Sequence, residues 1–172
     1  MSWWLWLLFV TVLLFGFVVF RGAPYVPTKR RVLERAFDTL YPIGKADLLV
    51  DIGCGDGVVL RAAAARGAQA VGYELNPLLY VIARFISRSP LIQVRLADFW
   101  HVHLPRETTV VYTFGESRDI AKMYALVERT ALANDSTIHF ISFGFAVPGK
   151  KEIKHDGSFY LYRVVPLQTA QA

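Results

Sequence analysis

The chain has 172 residues, of which 54% are hydrophobic and only 19% are charged, and its formal net charge is +5 at pH 7. This composition excludes an intrinsically disordered protein and predicts one domain with a substantial core. The single cysteine, Cys54, excludes an internal disulfide, and no second thiol accompanies the four histidines to form a zinc site. We therefore expect no structural metal.

The first segment, Trp3 to Phe20, contains no Asp, Glu, Lys, Arg or His. As a helix that rises ~1.5 Å per residue it would measure roughly 27 Å, close to the hydrocarbon thickness of a bilayer. The run has no basic start and is longer than the apolar core of a secretory signal, which favours a retained transmembrane anchor over residues 1–21. Basic residues follow it, and the positive-inside rule places the remainder of the chain on the cytoplasmic side. This basic group either contacts anionic headgroups or is an ordinary solvated helix face.

Residues 22–27 are predicted to form a hinge, because Pro24 and Pro27 push their predecessors out of the helical region. Residues 28–172 then form one domain. Thr28 can cap a first helix, whose predicted buried stripe is Val32, Ala36, Phe37 and Leu40.

Apolar runs and helical patterns alternate through the domain, as expected for β-α-β crossovers and a parallel sheet covered on both faces. Asn76 followed by Pro77 is a strong helix start, and Ser117 is a candidate cap for the last helix. The predicted strands are Leu48–Ile52, Ala70–Tyr73, Ile92–Leu96, Val110–Phe114 and Ile138–Phe143, and the predicted helices are Val58–Arg66, Pro77–Arg88 and Arg118–Leu132.

The C-terminal part predicts an antiparallel hairpin. Lys150 to His155 and Ser158 to Val165 flank the dipeptide Asp156-Gly157, which favours a tight turn. The expected fold class is therefore α/β, a Rossmann-like sheet that is mostly parallel and ends in an antiparallel hairpin, preceded by one transmembrane helix.

The most informative motif is the segment from Asp51 to Gly57, in which a strand runs into glycines at positions 53, 55 and 57. Glycine permits the tight turn and lets a ligand approach the peptide groups. The spacing differs from the G-x-G-x-x-G of dinucleotide-binding folds, and the phosphate-binding G-x-x-x-x-G-K-S/T pattern is absent. G-x-G-x-G after an acid resembles motif I of class I S-adenosylmethionine-dependent methyltransferases.

Two further acids end the next two strands. Glu74 closes the second strand, where a carboxylate can accept both ribose hydroxyls of an adenosine. Asp98 closes the third, with Phe99 or Trp100 placed to lie against the adenine ring. An ordinary surface acid is the alternative for either position.

Other candidates have simpler interpretations. His101 and His103 alternate like a metal pair, but without a third ligand a solvated loop is favoured. Cys54 is predicted to fill space in the turn rather than act as a nucleophile. The apolar helix Leu78 to Ile86 is predicted to belong to the core, with contact to a membrane as the alternative.

The whole pattern resembles the membrane-anchored, seven-β-strand (class I) protein-lysine methyltransferases that modify the ATP synthase c-subunit and the adenine nucleotide translocase, together with their prokaryotic relatives. The resemblance rests on Pro24 to Thr28, Leu49 to Gly57, Ala70 to Pro77, Asp98 to Trp100 and Phe114-Gly115. The chain departs from the family after the fifth strand, where the proline- and aromatic-rich segment is reduced to residues 143–148. That departure bears on substrate identity more than on methyl transfer.

The resemblance implies S-adenosyl-L-methionine as cofactor and a lysine of a membrane-associated protein as acceptor, at the cytoplasmic face of a prokaryotic inner membrane. It leaves open a methyltransferase of a membrane lipid, quinone or other small molecule, and a non-catalytic membrane scaffold; a nucleic-acid substrate is not expected. Tyr25, Thr28 and Glu116 are candidates for the group that accepts the proton of the lysine. The implied cofactor-binding residues are Asp51, Gly53, Cys54, Gly55, Gly57, Glu74, Leu75, Asn76, Asp98 and Phe99.

Overall fold

A computed structural model describes residues 2–21, 30–115 and 117–166, with side chains at 2–12 and from residue 30 onward within those ranges. In chain order the elements are α1 (Trp3–Arg21), α2 (Arg30–Arg35), a π-helical turn (Ala36–Leu40), β1 (Leu48–Ile52), α3 (Val58–Ala64), β2 (Gln69–Glu74), α4 (Pro77–Ile86), β3 (Ile92–Leu96), a 3-10 turn (Phe99–His101), β4 (Val110–Phe114), α5 (Ile120–Asn134), β5 (Ile138–Phe143), β6 (Lys154–Asp156) and β7 (Phe159–Val164).

The seven strands form one sheet in the order β3-β2-β1-β4-β5-β7-β6. Strands β1 to β5 pair with one another in parallel, and β7 is antiparallel to both β5 and β6. This confirms the mostly parallel α/β sheet with its C-terminal antiparallel hairpin. The sequential order reverses between β1 and β4, which is the position where open α/β sheets bind ligands.

Two hydrophobic clusters cover the two faces of the sheet. On the side called here the α4 side, side chains from α2, α3 and α4, such as Leu33, Leu60 and Ala83, pack on the strands. On the opposite side, the α5 side, Ile120 and Val127 of α5 do so. Because side chains alternate along a strand, the central strands contribute to both clusters, as expected for buried parallel strands.

Several predicted boundaries differ from the observed ones. The buried stripe of the first helical segment begins at Leu33, while Val32 is exposed, because Leu33 stands at i, i+3, i+4 and i+7 spacing with the buried residues of the π-helical turn. The predicted cap Ser117 is also wrong: Asp119 occupies the N-cap position of α5, without a side-chain capping bond. In the hairpin, Asp156 pairs with Phe159, so that the turn residues are Gly157 and Ser158, one position later than predicted.

The predicted core position of Leu78 to Ile86 is also wrong. Within α4 only Ala83 is buried, and its large apolar side chains are mostly exposed. The helix packs on the sheet through one narrow stripe, because α4 lies near the edge strand β3 and no described element covers its outer side.

Helix α1 is continuous from Trp3 to Arg21, and the side chains described in it, up to residue 12, are exposed. Within the residues that the structure describes, no helix is long and apolar enough to cross a membrane. The transmembrane anchor stays a prediction, and the hinge over residues 22–27 lies outside the described residues.

Candidate functional site

The glycine loop between β1 and α3 adopts a conformation that requires glycine. Gly53, Gly55 and Gly57 have φ angles of 79°, 54° and 78°, the left-handed region that residues with a Cβ rarely occupy. The loop is held to the end of β2, since the backbone N–H groups of Gly53 and Cys54 both donate to the carbonyl oxygen of Tyr73, each at 3.0 Å. A tight backbone turn without side chains therefore lies at the carboxyl edge of the sheet, beside the reversal of strand order.

Glu74 joins this loop to the beginning of α4. Its Oε2 accepts a hydrogen bond from the Gly55 N–H at 2.8 Å, and its Oε1 accepts one from the Asn76 N–H at 2.7 Å. The residue is 8% exposed. A carboxylate has about four lone-pair sites, so each oxygen retains capacity to accept a further hydrogen bond from a ligand hydroxyl. The structure thus brings Glu74 and the glycine loop together, as the sequence predicted.

Asp51 lies in the middle of the sheet on the same side as Glu74. It pairs with Gly72 across β1 and β2, and its strand neighbour Leu49 belongs to the α4-side cluster. Burial raises the pKa of the Asp51 carboxyl well above its ordinary value, and the negative charges of Glu74 and Asp56 raise it further. Two buried acids close together with no described basic partner resemble the environments that are arranged at functional sites.

Cys54 is buried in the same region and acts as a packing residue. Burial raises the pKa of its thiol, and the charges of Asp51 and Glu74 raise it further, which disfavours the reactive thiolate. A Cβ built on Gly72 would lie 2.7 Å from the Cys54 Sγ and 2.6 Å from Leu60 Cδ1. Gly72 therefore allows β2 to approach the loop and α3 closely. Sequence reasoning missed this residue, although a glycine inside a strand is a signal of close approach.

Leu75 and Asn76 form the short connection from Glu74 to α4. The Asn76 side-chain oxygen accepts hydrogen bonds from the N–H groups of Leu78 and Leu79, at 2.9 and 3.4 Å, and thereby caps the helix. The predicted cap is confirmed. Leu75 is partly buried. In this arrangement the amide oxygen of Asn76 serves the helix, and its position next to Glu74 follows from the cap.

Asp98 lies at the same edge of the sheet, because the N–H of Ala97 donates to the carbonyl oxygen of Glu74 at 3.0 Å. Its carboxylate accepts a hydrogen bond from the Trp100 N–H at 3.1 Å and lies 3.2 Å from His101 Nδ1. Phe99 packs against the α5-side cluster. Asp98 therefore caps the 3-10 turn while it borders the glycine loop region, so a local structural role accompanies the predicted binding role.

The remaining candidates are not brought to this site. Tyr25, Thr28 and Glu116, the candidate proton acceptors, lie outside the described residues. His101 and His103 do not combine with a third ligand: among residues 2–21, 30–115 and 117–166, no group of three His, Cys, Asp or Glu side chains is arranged to hold a metal.

Comparisons with known proteins agree with this geometry. The human lysine N-methyltransferase of the ATP synthase c-subunit is 32% identical over 126 residues, which cover 71% of this chain and 52% of that protein. The mouse protein named adenine nucleotide translocase lysine N-methyltransferase is 36% identical over 86 residues, 47% of this chain and 37% of that protein. The chain thus spans about half the length of the human relative and less of the mouse one. No protein-family model matches the chain.

Among solved structures, an RNA methyltransferase from Salinibacter ruber in complex with S-adenosyl-L-homocysteine superimposes with a TM-score of 0.73 at 25% identity, and the match covers 86% of this chain and 98% of that one. Together with the strand order, this match shows that the domain has the class I methyltransferase fold.

Proposed function

We propose that the protein is an S-adenosylmethionine-dependent methyltransferase that acts on lysine side chains of a membrane-associated protein. The observation that carries the proposal is the contact between the Glu74 carboxylate and the glycine loop, at the carboxyl edge of the sheet where the strand order reverses. The relatives support the acceptor, since two proteins that share this sequence pattern are named as lysine methyltransferases of membrane-protein targets.

The residues present fit the cofactor. The left-handed glycines leave the backbone of the loop without side chains on the approach side, and Glu74 retains lone pairs for ribose hydroxyls. Gly53, Gly55, Gly57 and Glu74 would hold the nucleoside, with Asp98 and Phe99 toward the adenine. The cofactor supplies an electrophilic methyl group on a sulfonium. The protein then has to orient a neutral amine in line with that group, and such positioning can contribute several kcal/mol, of the order of 7–11 at most.

The lysine must lose its proton before it attacks. Tyr25, Thr28 and Glu116 remain the candidates for accepting it, by resemblance or by position. Attachment to a membrane through residues 3–20, with the domain on the cytoplasmic side of a prokaryotic inner membrane, is part of the same proposal. It is supported by the uninterrupted apolar sequence and by the basic residues that follow it. Such attachment would raise the effective concentration of membrane targets.

A second acceptor, RNA, is favoured by one observation, the similarity to the Salinibacter ruber RNA methyltransferase. The net charge of +5 is compatible with it. A lipid, quinone or other small molecule is a further acceptor that membrane attachment would permit.

The test is transfer of a radiolabelled methyl group from S-adenosylmethionine into membranes and RNA of the source cell, with products separated into protein, organic extract and RNA. Glu74→Gln is compared with the native protein. Because one charge-assisted hydrogen bond contributes about 1.5–3 kcal/mol, calorimetry should show cofactor affinity reduced by roughly 10- to 150-fold. The matched control is Glu128→Gln, a partly exposed acid on α5 that forms a surface ion pair.

A labelled protein band that the Glu74→Gln change abolishes, and that contains methylated lysine by mass spectrometry, supports the proposal. Label confined to the organic extract or to RNA would reject the lysine acceptor and retain methyl transfer. Absence of both transfer and cofactor binding would reject the enzyme and leave a scaffold.

A further inference from the structure

The outer face of α4 is apolar and uncovered. Its large apolar side chains are substantially exposed: Leu78 54%, Val81 58%, Ile82 38%, Phe85 65% and Ile86 45%. At 100° per residue, Leu78, Val81 and Phe85 lie on the side of the helix opposite the buried Ala83. A helix on the surface of a globular domain normally presents polar residues there. The exposed face of α4 therefore lacks the polarity that contact with water would favour.

The apolar surface continues beyond the helix. Leu96, at the end of β3, is 50% exposed. It stands two residues after Val94, which packs in the α4-side cluster, so it lies on the same side of the sheet as α4. Exposed apolar residues that occur singly are ordinary, but a contiguous group of this kind marks an interaction site.

The charges around this face are positive. From Asn76 to Leu96 the sequence contains no Asp or Glu and three arginines, Arg84, Arg88 and Arg95. Arg84 is exposed on one flank of α4, and the Arg88 guanidinium lies 4.2 Å from the centroid of the Phe85 ring. A helix with an apolar outer face and a cationic flank is typical of segments that lie in the interface of an anionic membrane.

We propose that the outer face of α4 rests on an anionic lipid surface, with Val81 and Phe85 among the acyl chains and Arg84 and Arg88 at the headgroups. The face is the convex side of a single helix rather than a groove, which suits a lipid surface better than a peptide ligand. The absence of acids between residues 76 and 96 matches the charge of anionic lipid. Because α4 begins three residues after Glu74, this contact would hold the glycine loop close to the membrane surface.

The test uses the full chain reconstituted in vesicles of phosphatidylglycerol and phosphatidylcholine. Val81→Cys is labelled with an environment-sensitive fluorophore, and Lys122→Cys, on the exposed face of α5, is the matched control. Native Cys54 is buried and its thiol pKa is raised, so it stays unlabelled in the folded protein. Lipids that carry a nitroxide then report contact with the bilayer directly.

Strong quenching of the probe at position 81, with little at position 122, supports the proposal. A probe at position 81 that is shifted to the blue but not quenched by lipid would place α4 against protein, either a second copy or residues 3–12 of its own chain, and would overturn it. Equal quenching at both positions, or none at either, would overturn it as well. Fluorescence does not depend on methyl transfer, so this result is separate from the proposed function.

The choice of anionic lipid has its own test. Arg84→Gln combined with Arg88→Gln should lower quenching at position 81, because each basic side chain at an anionic surface contributes to binding, and removal of two should weaken the contact by about tenfold or more. Lys122→Gln combined with Arg129→Gln on α5 is the control pair and should leave it unchanged. Equal quenching in the Arg84/Arg88 variant, or equal quenching of the native protein in purely zwitterionic vesicles, would overturn the anionic surface as the partner.

Discussion

The two sides of the sheet are built by different rules. On the α5 side, the strands contribute apolar and aromatic residues, such as Val50 and Phe140, and the exposed positions of the covering helix include Lys122 and Arg129. On the α4 side, the sheet carries the buried acids Asp51 and Glu74 among its apolar residues, and the covering helix α4 has an apolar outer face. The α5 side follows the pattern that stability favours. The α4 side departs from it where we propose the cofactor site and the membrane contact.

The largest expected effect compares two leucines on the two covering helices. Leu126 of α5 is 6% exposed and Leu78 of α4 is 54% exposed. Leu126→Ala should lower the free energy of unfolding by about 2–5 kcal/mol, because it leaves a cavity in a packed core. Leu78→Ala should change it by about 0.5 kcal/mol or less. Urea unfolding followed by circular dichroism measures both.

A cost at Leu78 equal to that at Leu126 would show that α4 is packed in solution as α5 is. The contrast between the two sides would then fail at the helices.

A smaller effect is expected at Gly72, on the α4 side. A Cβ there would lie 2.6 Å from Leu60 Cδ1 and 2.7 Å from Cys54 Sγ, so Gly72→Ala should destabilise the protein by about 1–3 kcal/mol. Because the displaced residues adjoin the glycine loop, affinity for S-adenosylmethionine should fall as well. Thermal unfolding and calorimetry measure the two quantities.

Gly44→Ala is the control for this change, since no atom lies within 4 Å of a Cβ built at that position. Unchanged stability in Gly72→Ala would mean that the loop and β2 are not packed closely.

A third effect has the opposite sign. The pKa of Asp51 is raised in the folded protein, so its contribution to stability is fully present below the unfolded value near 3.8 and is lost as pH rises through the folded pKa. Asp51→Asn removes a buried charge. The variant should therefore gain stability over the native protein as pH rises through that range, while it loses cofactor affinity.

Unfolding free energies measured from low to high pH, across both the unfolded and the folded pKa of Asp51, test this prediction. Asp135→Asn, at the exposed end of α5, is the control, because asparagine tolerates the left-handed conformation found there. A stability difference for Asp51→Asn that does not vary with pH would contradict the assignment of a raised pKa.

The smallest effect is expected on the outer surface of the α5 side. Lys150 Nζ lies 2.6 Å from Glu128 Oε1, and both side chains are partly exposed. Lys150→Ala should cost less than about 1 kcal/mol, and the cost should decrease in high salt, because exposed ion pairs are weak and screened. Denaturant unfolding at low and at high salt concentration measures it. A larger cost that does not depend on salt would indicate that Lys150 stabilises the fold through its contact with the Tyr124 ring.

The sequence by itself determined the regular elements and the outline of the site. Four of the five parallel strands have the predicted bounds, since short apolar runs between helical patterns are best buried as sheet strands. The glycines at 53, 55 and 57 and the acid at 74 were readable because few other residues permit the turn and because a strand of known length places its last residue at the ligand edge. The cap at Asn76 was readable for a similarly local reason.

Tertiary structure decided what depends on contacts between distant residues. Gly72 is needed because α3 and the glycine loop cross β2 there, and Asp98 caps a turn that has no signature in the sequence. The apolar residues of α4 were predicted to be buried, yet most are exposed, because hydrophobicity states what a side chain prefers and not whether a neighbour is present to cover it. The edge position of β3 leaves α4 with one partner surface instead of two, and only the strand order determines that edge.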